Sequence, residues 1–142
     1  PRVADDSDEA DSIHTDEVQF GNGEHILVLE DEIEVANLVE RLLRSLGYEP
    51  LIADNPNRAF QVLGANADVR LVLSDVVLPG GTSGPQFAER AKLVYPTVEF
   101  IFMSGYPADT FKLPDELVTS FPMLSKPFSR YELAKAIHEV LS

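Results

Sequence analysis

The chain contains no cysteine. That excludes a disulfide scaffold, a thiol nucleophile and metal or iron–sulfur sites built on thiolates. Positive charge is scarce: Lys and Arg total 11 against 24 Asp and Glu, for a formal net charge of −13. Such a balance closes the simple electrostatic route to nucleic acid or to an anionic membrane surface. No apolar run approaches the roughly 20 residues of a membrane span, so direct insertion is not expected. The first residues, PRVADDSDEAD, are acidic where a secretory signal is basic and then apolar.

What remains is the composition of an ordinary domain. The 142 residues are 44% apolar and 25% charged, enough for one domain with its own core. The composition shifts near residue 24. Residues 1–23 hold seven acids (Asp5, Asp6, Asp8, Glu9, Asp11, Asp16, Glu17) against one Arg, with few apolar residues and no period. An acidic, solvated tail or linker is expected there, and a folded domain over 24–142. The chain begins with Pro rather than Met. That is expected of a piece cut from a longer protein, or of a processed start.

After residue 24, short apolar runs alternate with segments of helical period. HILVLE (25–30), EPLIA (49–53), RLVLS (70–74), VEFIFM (98–103) and SFPML (120–124) read as strands. Pro122 suits a sheet edge. Val35, Leu38, Val39, Leu42 and Leu46 fall at helical spacing, stopped by Gly47. Asn55-Pro56 reads as a cap and first-turn proline, opening a helix that ends near Gly64. Pro85 opens another, with Phe87, Ala88, Ala91 and Val94 on one face. Any helix over 108–118 is short or broken by Pro114. Ser129 and Glu132 have capping-box spacing before a last helix faced by Leu133, Ala136, Ile137, Val140 and Leu141. Five strands alternating with five helices predict an α/β fold, a doubly wound five-stranded parallel sheet with helices on both faces. Phe20, Phe60, Phe87, Phe100 and Phe102 are expected in the core rather than as a stacking platform for bases. His14, His25 and His138 are scattered, without metal-ligand spacing, and are expected at the surface.

In open sheets of this type the functional crevice lies outside the carboxyl ends of the strands. The first strand closes on Glu30-Asp31, the third on Asp75 and the fourth on Ser104. The fifth leads to Lys126-Pro127. If these strands are neighbours, three carboxylates, a hydroxyl and an ammonium converge. Carboxylates so close either share protons or hold a cation, and an all-oxygen ligand set suits Mg²⁺. A cation beside a Lys and a hydroxyl suits a phosphoryl group. A carboxylate can itself be the nucleophile that accepts it. Each residue alone has a plainer reading. Asp31, three residues before Glu34, is an ordinary helix cap. Asp75 and Ser104 are ordinary turn residues. Lys126 is an ordinary surface lysine.

The segments VLEDE (28–32), SDVVLPGGTSG (74–84), MSGY (103–106) and LSKPF (124–128) together resemble the signature segments of bacterial response-regulator receiver domains. The resemblance covers residues 25–142. It implies strand order 2-1-3-4-5, a flavodoxin-like arrangement. It also implies that Asp75 is the phospho-acceptor. Glu30, Asp31, Asp75 and the backbone carbonyl of Val77 would hold Mg²⁺. Ser104 and Lys126 would bind the phosphoryl group, and the Lys126–Pro127 peptide would be cis. Partners would be a histidine kinase or a histidine phosphotransfer protein, including a parent kinase to which the domain is covalently joined. The setting would be the cytoplasm, or the cytoplasmic part of a membrane-bound kinase.

Three features depart from that pattern. The loop after Asp75 is one residue longer, with Gly80-Gly81 inside, a form similar to receivers attached to hybrid sensor kinases. The family's usual Tyr or Phe three residues before the lysine is Met123, which has no ring to swing inward. The stretch 108–118 lacks a clean apolar stripe, so output through that helix is in doubt. The chain also ends with its last helix, so no DNA-binding helix-turn-helix is expected. The resemblance implies a phosphoacceptor signalling domain, self-catalysing only its own phosphorylation and dephosphorylation. The alternative is a non-phosphorylated pseudo-receiver that acts as an interaction module. A phosphatase with an aspartate nucleophile would need a general acid two residues on, where Val77 stands. It would also need a cap domain for which there is no room. A flavin-binding reading lacks a Ser/Thr-rich phosphate loop after the first strand.

Overall fold

In the computed structural model, residues 18–78, 80, 82–105 and 121–141 are described. The elements in chain order are β1 (His25–Leu29), α1 (Ile33–Ser45), β2 (Glu49–Ala53), α2 (Pro56–Ala65) and β3 (Val69–Asp75). They continue with α3 (Gly84–Val94), β4 (Glu99–Ser104), β5 (Met123–Ser125) and α4 (Arg130–Leu141). The strands form one sheet in the order β2-β1-β3-β4-β5, and every pairing is parallel. This is the doubly wound arrangement expected from the alternation of elements. β2 has the expected bounds, and the other strands differ from the sequence reading at one or both ends by one to three residues. The helix expected within 108–118 lies outside the described residues, as does the chain before Val18.

Side chains alternate across the sheet with period two. Leu27 and Leu29 of β1, with Phe100 and Phe102 of β4, pack on one face against Ala59 and Leu63 of α2 and Phe87, Ala88 and Ala91 of α3. Ile26, Val28, Leu71, Leu73, Ile101 and Met103 face the other way. They meet Val39 and Leu43 of α1 and Leu133, Ala134 and Ile137 of α4. The central strands are buried on both faces, and for that reason their sequences read as continuous apolar runs. Within the described strands, proline is confined to the sheet edge: Pro50 lies in edge strand β2, and Pro122 immediately precedes edge strand β5.

The helix starts explain themselves locally. Asn55 Oδ1 accepts the Arg58 N–H at 2.8 Å, with Pro56 at the first helical position. Ser129 and Glu132 form the expected reciprocal box, at 3.0 and 2.8 Å. A second box, Ser83 with Gln86, opens α3 one residue earlier than Pro85 suggested.

Three expectations need correction. Asp31 does not cap α1: the helix starts at Ile33, and Glu32 is its N-cap without a side-chain bond. Phe20 is not core; it is 55% exposed, with the Arg130 guanidinium 5.5 Å above its ring. His25 is half-buried at the start of β1 rather than at the surface. Ahead of β1 the backbone lies against the domain: Gly21 N–H donates to Leu46 O at 2.7 Å and Gly23 N–H to Gly47 O at 2.8 Å.

Candidate functional site

Parallel register sets the strand ends level. Leu29 pairs with Ser74, Asp75 with Met103, and Ser104 with Ser125. The residues at or just past those ends share one crevice. Backbone bonds then continue past the strands and fix the site residues. Glu30 N–H donates to Ala53 O at 3.0 Å, Val76 N–H to Met103 O at 3.1 Å, and Lys126 N–H to Ser104 O at 2.8 Å. The Lys126–Pro127 peptide is cis.

Lys126 joins two of the carboxylates. Its Nζ lies 2.7 Å from Asp75 Oδ1 and 3.0 Å from Glu30 Oε1. Glu30 is 1% exposed, and its second oxygen accepts the Glu32 N–H at 3.1 Å. That bond ties the start of α1 to the site, and it leaves Asp31 exposed at the crevice rather than serving as a cap. Glu30, Asp31 and Asp75 each offer an oxygen, and these oxygens all lie within 4.8 Å of one another. Among the described ion pairs, one ammonium, that of Lys126, serves two of these three carboxylates.

The electrostatics follow from that imbalance. Burial pushes the Asp75 carboxyl up to about 7, the neighbouring Glu30 carboxylate adds to the rise, and Lys126 offsets part of it. Burial pulls the Lys126 ammonium down, but the Asp75 and Glu30 carboxylates more than compensate and leave it above its ordinary value. An oxygen-only donor set with excess negative charge, partly out of water, fits a hard divalent cation.

The crevice opens into a cleft of about 780 Å³ that includes Asp31, Asp75, Val77, Met103, Gly105 and Lys126 in its lining. Val77 is 48% exposed on the rim. Ser104 is buried at the end of β4. Met123 is elsewhere: it pairs with Phe102 and packs, half-buried, with the α2/α3 side of the core. An aromatic does sit nearby, two residues earlier. The Phe121 ring meets Phe102 edge-on at 5.2 Å and Phe100 at 6.2 Å.

Sequence reasoning passed over two neighbours of Asp75. Ser74 is fully buried, and its hydroxyl donates to Asp75 O at 2.8 Å. Gly84, the first residue of α3, lies directly against the same carbonyl. The only signals were a polar residue inside an apolar run and a glycine at a helix start.

Comparison with known proteins agrees with this geometry. The profile of the response regulator receiver domain matches residues 26–138. The sensor kinase CckA of Brucella abortus is 34% identical over 117 residues, 82% of this chain and 12% of the kinase. The phosphate regulon regulator PhoB of Pseudomonas aeruginosa is 32% identical, over 84% of this chain and 52% of that protein. The chain therefore spans from an eighth to about half of these relatives. The solved receiver domain of the hybrid histidine kinase CckA superposes with a TM-score of 0.68 at 32% identity, covering 83% of this chain and 99% of that one. The receiver domain of an HD-domain protein from Pseudomonas fluorescens superposes at 0.74 with 28% identity, covering 84% and 94%. TrrA of Thermotoga maritima, solved with Mg²⁺-BeF, shares the fold at 0.70 and 24% identity, covering 83% and 99%. Among the described residues no helix is long and apolar enough to cross a membrane.

Proposed function

The chain belongs to the response regulator receiver domain family of two-component signalling, and from that premise we propose that Asp75 accepts a phosphoryl group from a phosphohistidine. The observation that carries this reading is Lys126 held between Asp75 and Glu30 inside a three-carboxylate cluster. An Asp75 oxygen attacks phosphorus, the phosphorus–nitrogen bond breaks, and the departing imidazole nitrogen keeps the electron pair and takes a proton. Asp75 must be ionised to attack, and its raised pKa makes proton loss part of the activation. Glu30, Asp31, Asp75 and the Val77 carbonyl are the residues that would hold Mg²⁺. When bound, that ion would neutralise charge on the phosphoryl oxygens. Lys126 then turns from the Asp75 carboxylate to a phosphoryl oxygen, and the Ser104 hydroxyl donates to another.

The donor is a histidine kinase or a histidine phosphotransfer protein, including a parent kinase of which this domain is a part, and the setting is the cytoplasm. No metabolic turnover is assigned. Intact mass after incubation with acetyl phosphate tests the proposal. A Mg²⁺-dependent gain of one phosphoryl group, absent in Asp75→Asn, is expected.

Met123 favours a second reading. The switch position has no ring, and its side chain packs against the core on the α2/α3 side of the sheet, so a pseudo-receiver that binds partners without phosphorylation is the alternative. No mass gain together with no Mg²⁺ binding would select it.

A further inference from the structure

Gly84 has no conformational reason to be glycine. Its φ lies outside the left-handed region where Gly23, Gly47 and Gly80 sit. The requirement is space. A Cβ at position 84 would overlap the Asp75 carbonyl oxygen and come within 2.9 Å of the Phe102 ring. Gly84 is itself buried, and its N–H donates to Val76 O at 2.6 Å. The Ser74 hydroxyl also donates to the Asp75 carbonyl, at 2.8 Å. The Asp75 carbonyl therefore meets both the first residue of α3 and a buried hydroxyl of β3. The Ser83–Gln86 box holds that helix start in place.

We propose that Gly84 is a positioning residue: its missing side chain lets α3 seat against the Asp75 backbone and so sets where the Asp75 carboxylate stands relative to Glu30 and Asp31. The inference rests on the reading of Asp75 as acceptor and deepens it. Backbone cannot yield as a flexible side-chain end can. A methyl here must drive α3 and the Asp75 peptide apart, and that shift spreads the carboxylate oxygens.

The test compares Gly84→Ala with Gly21→Ala. The latter creates an equally severe overlap, against the Tyr48 ring, at residues that do not line the cleft. Mg²⁺ affinity is read from the rise in Tm at matched ionic strength, and phosphoryl uptake from intact mass with acetyl phosphate at a temperature below each variant's own Tm. Gly84→Ala is expected to lose about 10-fold or more in both. Gly21→Ala should lose Tm while both site readouts stay within about twofold of the parent. Gly84→Ala/Phe102→Leu relieves the ring contact but not the carbonyl contact. It is expected to regain Tm while the Mg²⁺ defect persists. Restored Mg²⁺ affinity in that double variant would overturn the proposal, since packing against Phe102 would then be the whole effect. So would a folded Gly84→Ala that binds Mg²⁺ like the parent. If neither Gly84 variant folds, Ser74→Ala decides: a weaker Mg²⁺ response at little cost in Tm supports the grip on the carbonyl, and an unchanged response removes it. A parent protein that neither binds Mg²⁺ nor gains mass would instead defeat the acceptor reading, and the role of Gly84 would fall with it.

Discussion

Asp75 holds a proton more tightly in the folded chain than an aspartate does in water, with its carboxyl near 7 rather than 3.8. The folded state thus binds more protons than the unfolded state between those values, and stability falls as pH rises across them. The contribution is complete below the unfolded value and lost as pH passes about 7. In metal-free buffer the parent is expected to lose Tm from pH 5 to pH 8 relative to Asp75→Asn, which lacks the titrating group. At pH 8 that variant should melt higher by about 2–5 °C, and Mg²⁺ should erase the gap by stabilising only the parent. Thermal melts of both proteins at three pH values, with and without Mg²⁺, check the sign. A parent curve that climbs with pH would contradict the raised Asp75. Lys126 tests the same cluster from the other side. Lys126→Met leaves Glu30 and Asp75 facing each other without their ammonium. A loss of about 1–3 kcal/mol in denaturant unfolding is expected without Mg²⁺, with part of it recovered when the ion is supplied.

At the scale of the element, helix starts carry information that a sequence states in part. Asn55-Pro56 and Ser129 with Glu132 were legible because the capping side chain and its partner lie three residues apart in one turn. Asp31 with Glu34 has the same spacing, yet Asp31 does not cap. The donor at the head of α1 is met by Glu30, placed there by the end of β1 rather than by local sequence. Phe20 misled for a related reason: apolar character said core, but its position ahead of β1 put it under Arg130 with one face in water. The site was legible to the extent that it is built from strand ends, since the apolar runs located Glu30, Asp31, Asp75, Ser104 and Lys126. Gly84 and Ser74 were not, because their role is a contact with a backbone carbonyl, and a backbone has no letter in the sequence. Asn55→Ala should therefore cost about 1 kcal/mol, the ordinary value of a lost N-cap, and leave Mg²⁺ binding and phosphoryl uptake unchanged. A change in uptake would mean that α2 communicates with the crevice.

The whole molecule adds a field to the local chemistry. The formal net charge is −13, and Asp31, Glu32 and Glu34 stand exposed at the start of α1, with Asp31 and Glu32 lining the cleft. A small anionic donor such as acetyl phosphate approaches against that field, so its encounter rate is depressed at low salt. Screening lengths shrink from roughly 30 Å at 0.01 M to about 10 Å at 0.1 M salt, which removes most of the repulsion over the width of the cleft mouth. Uptake from acetyl phosphate at saturating Mg²⁺ is therefore expected to accelerate by about twofold as NaCl rises from ~20 to ~200 mM. A protein donor with a basic docking surface should show the opposite slope, because the same field then attracts. Initial rates by intact mass across a salt series, with Mg²⁺ held constant, separate the two. Acetyl phosphate uptake that slows with salt would mean that the bound cation, rather than the acidic rim, governs the potential seen by an arriving phosphoryl group.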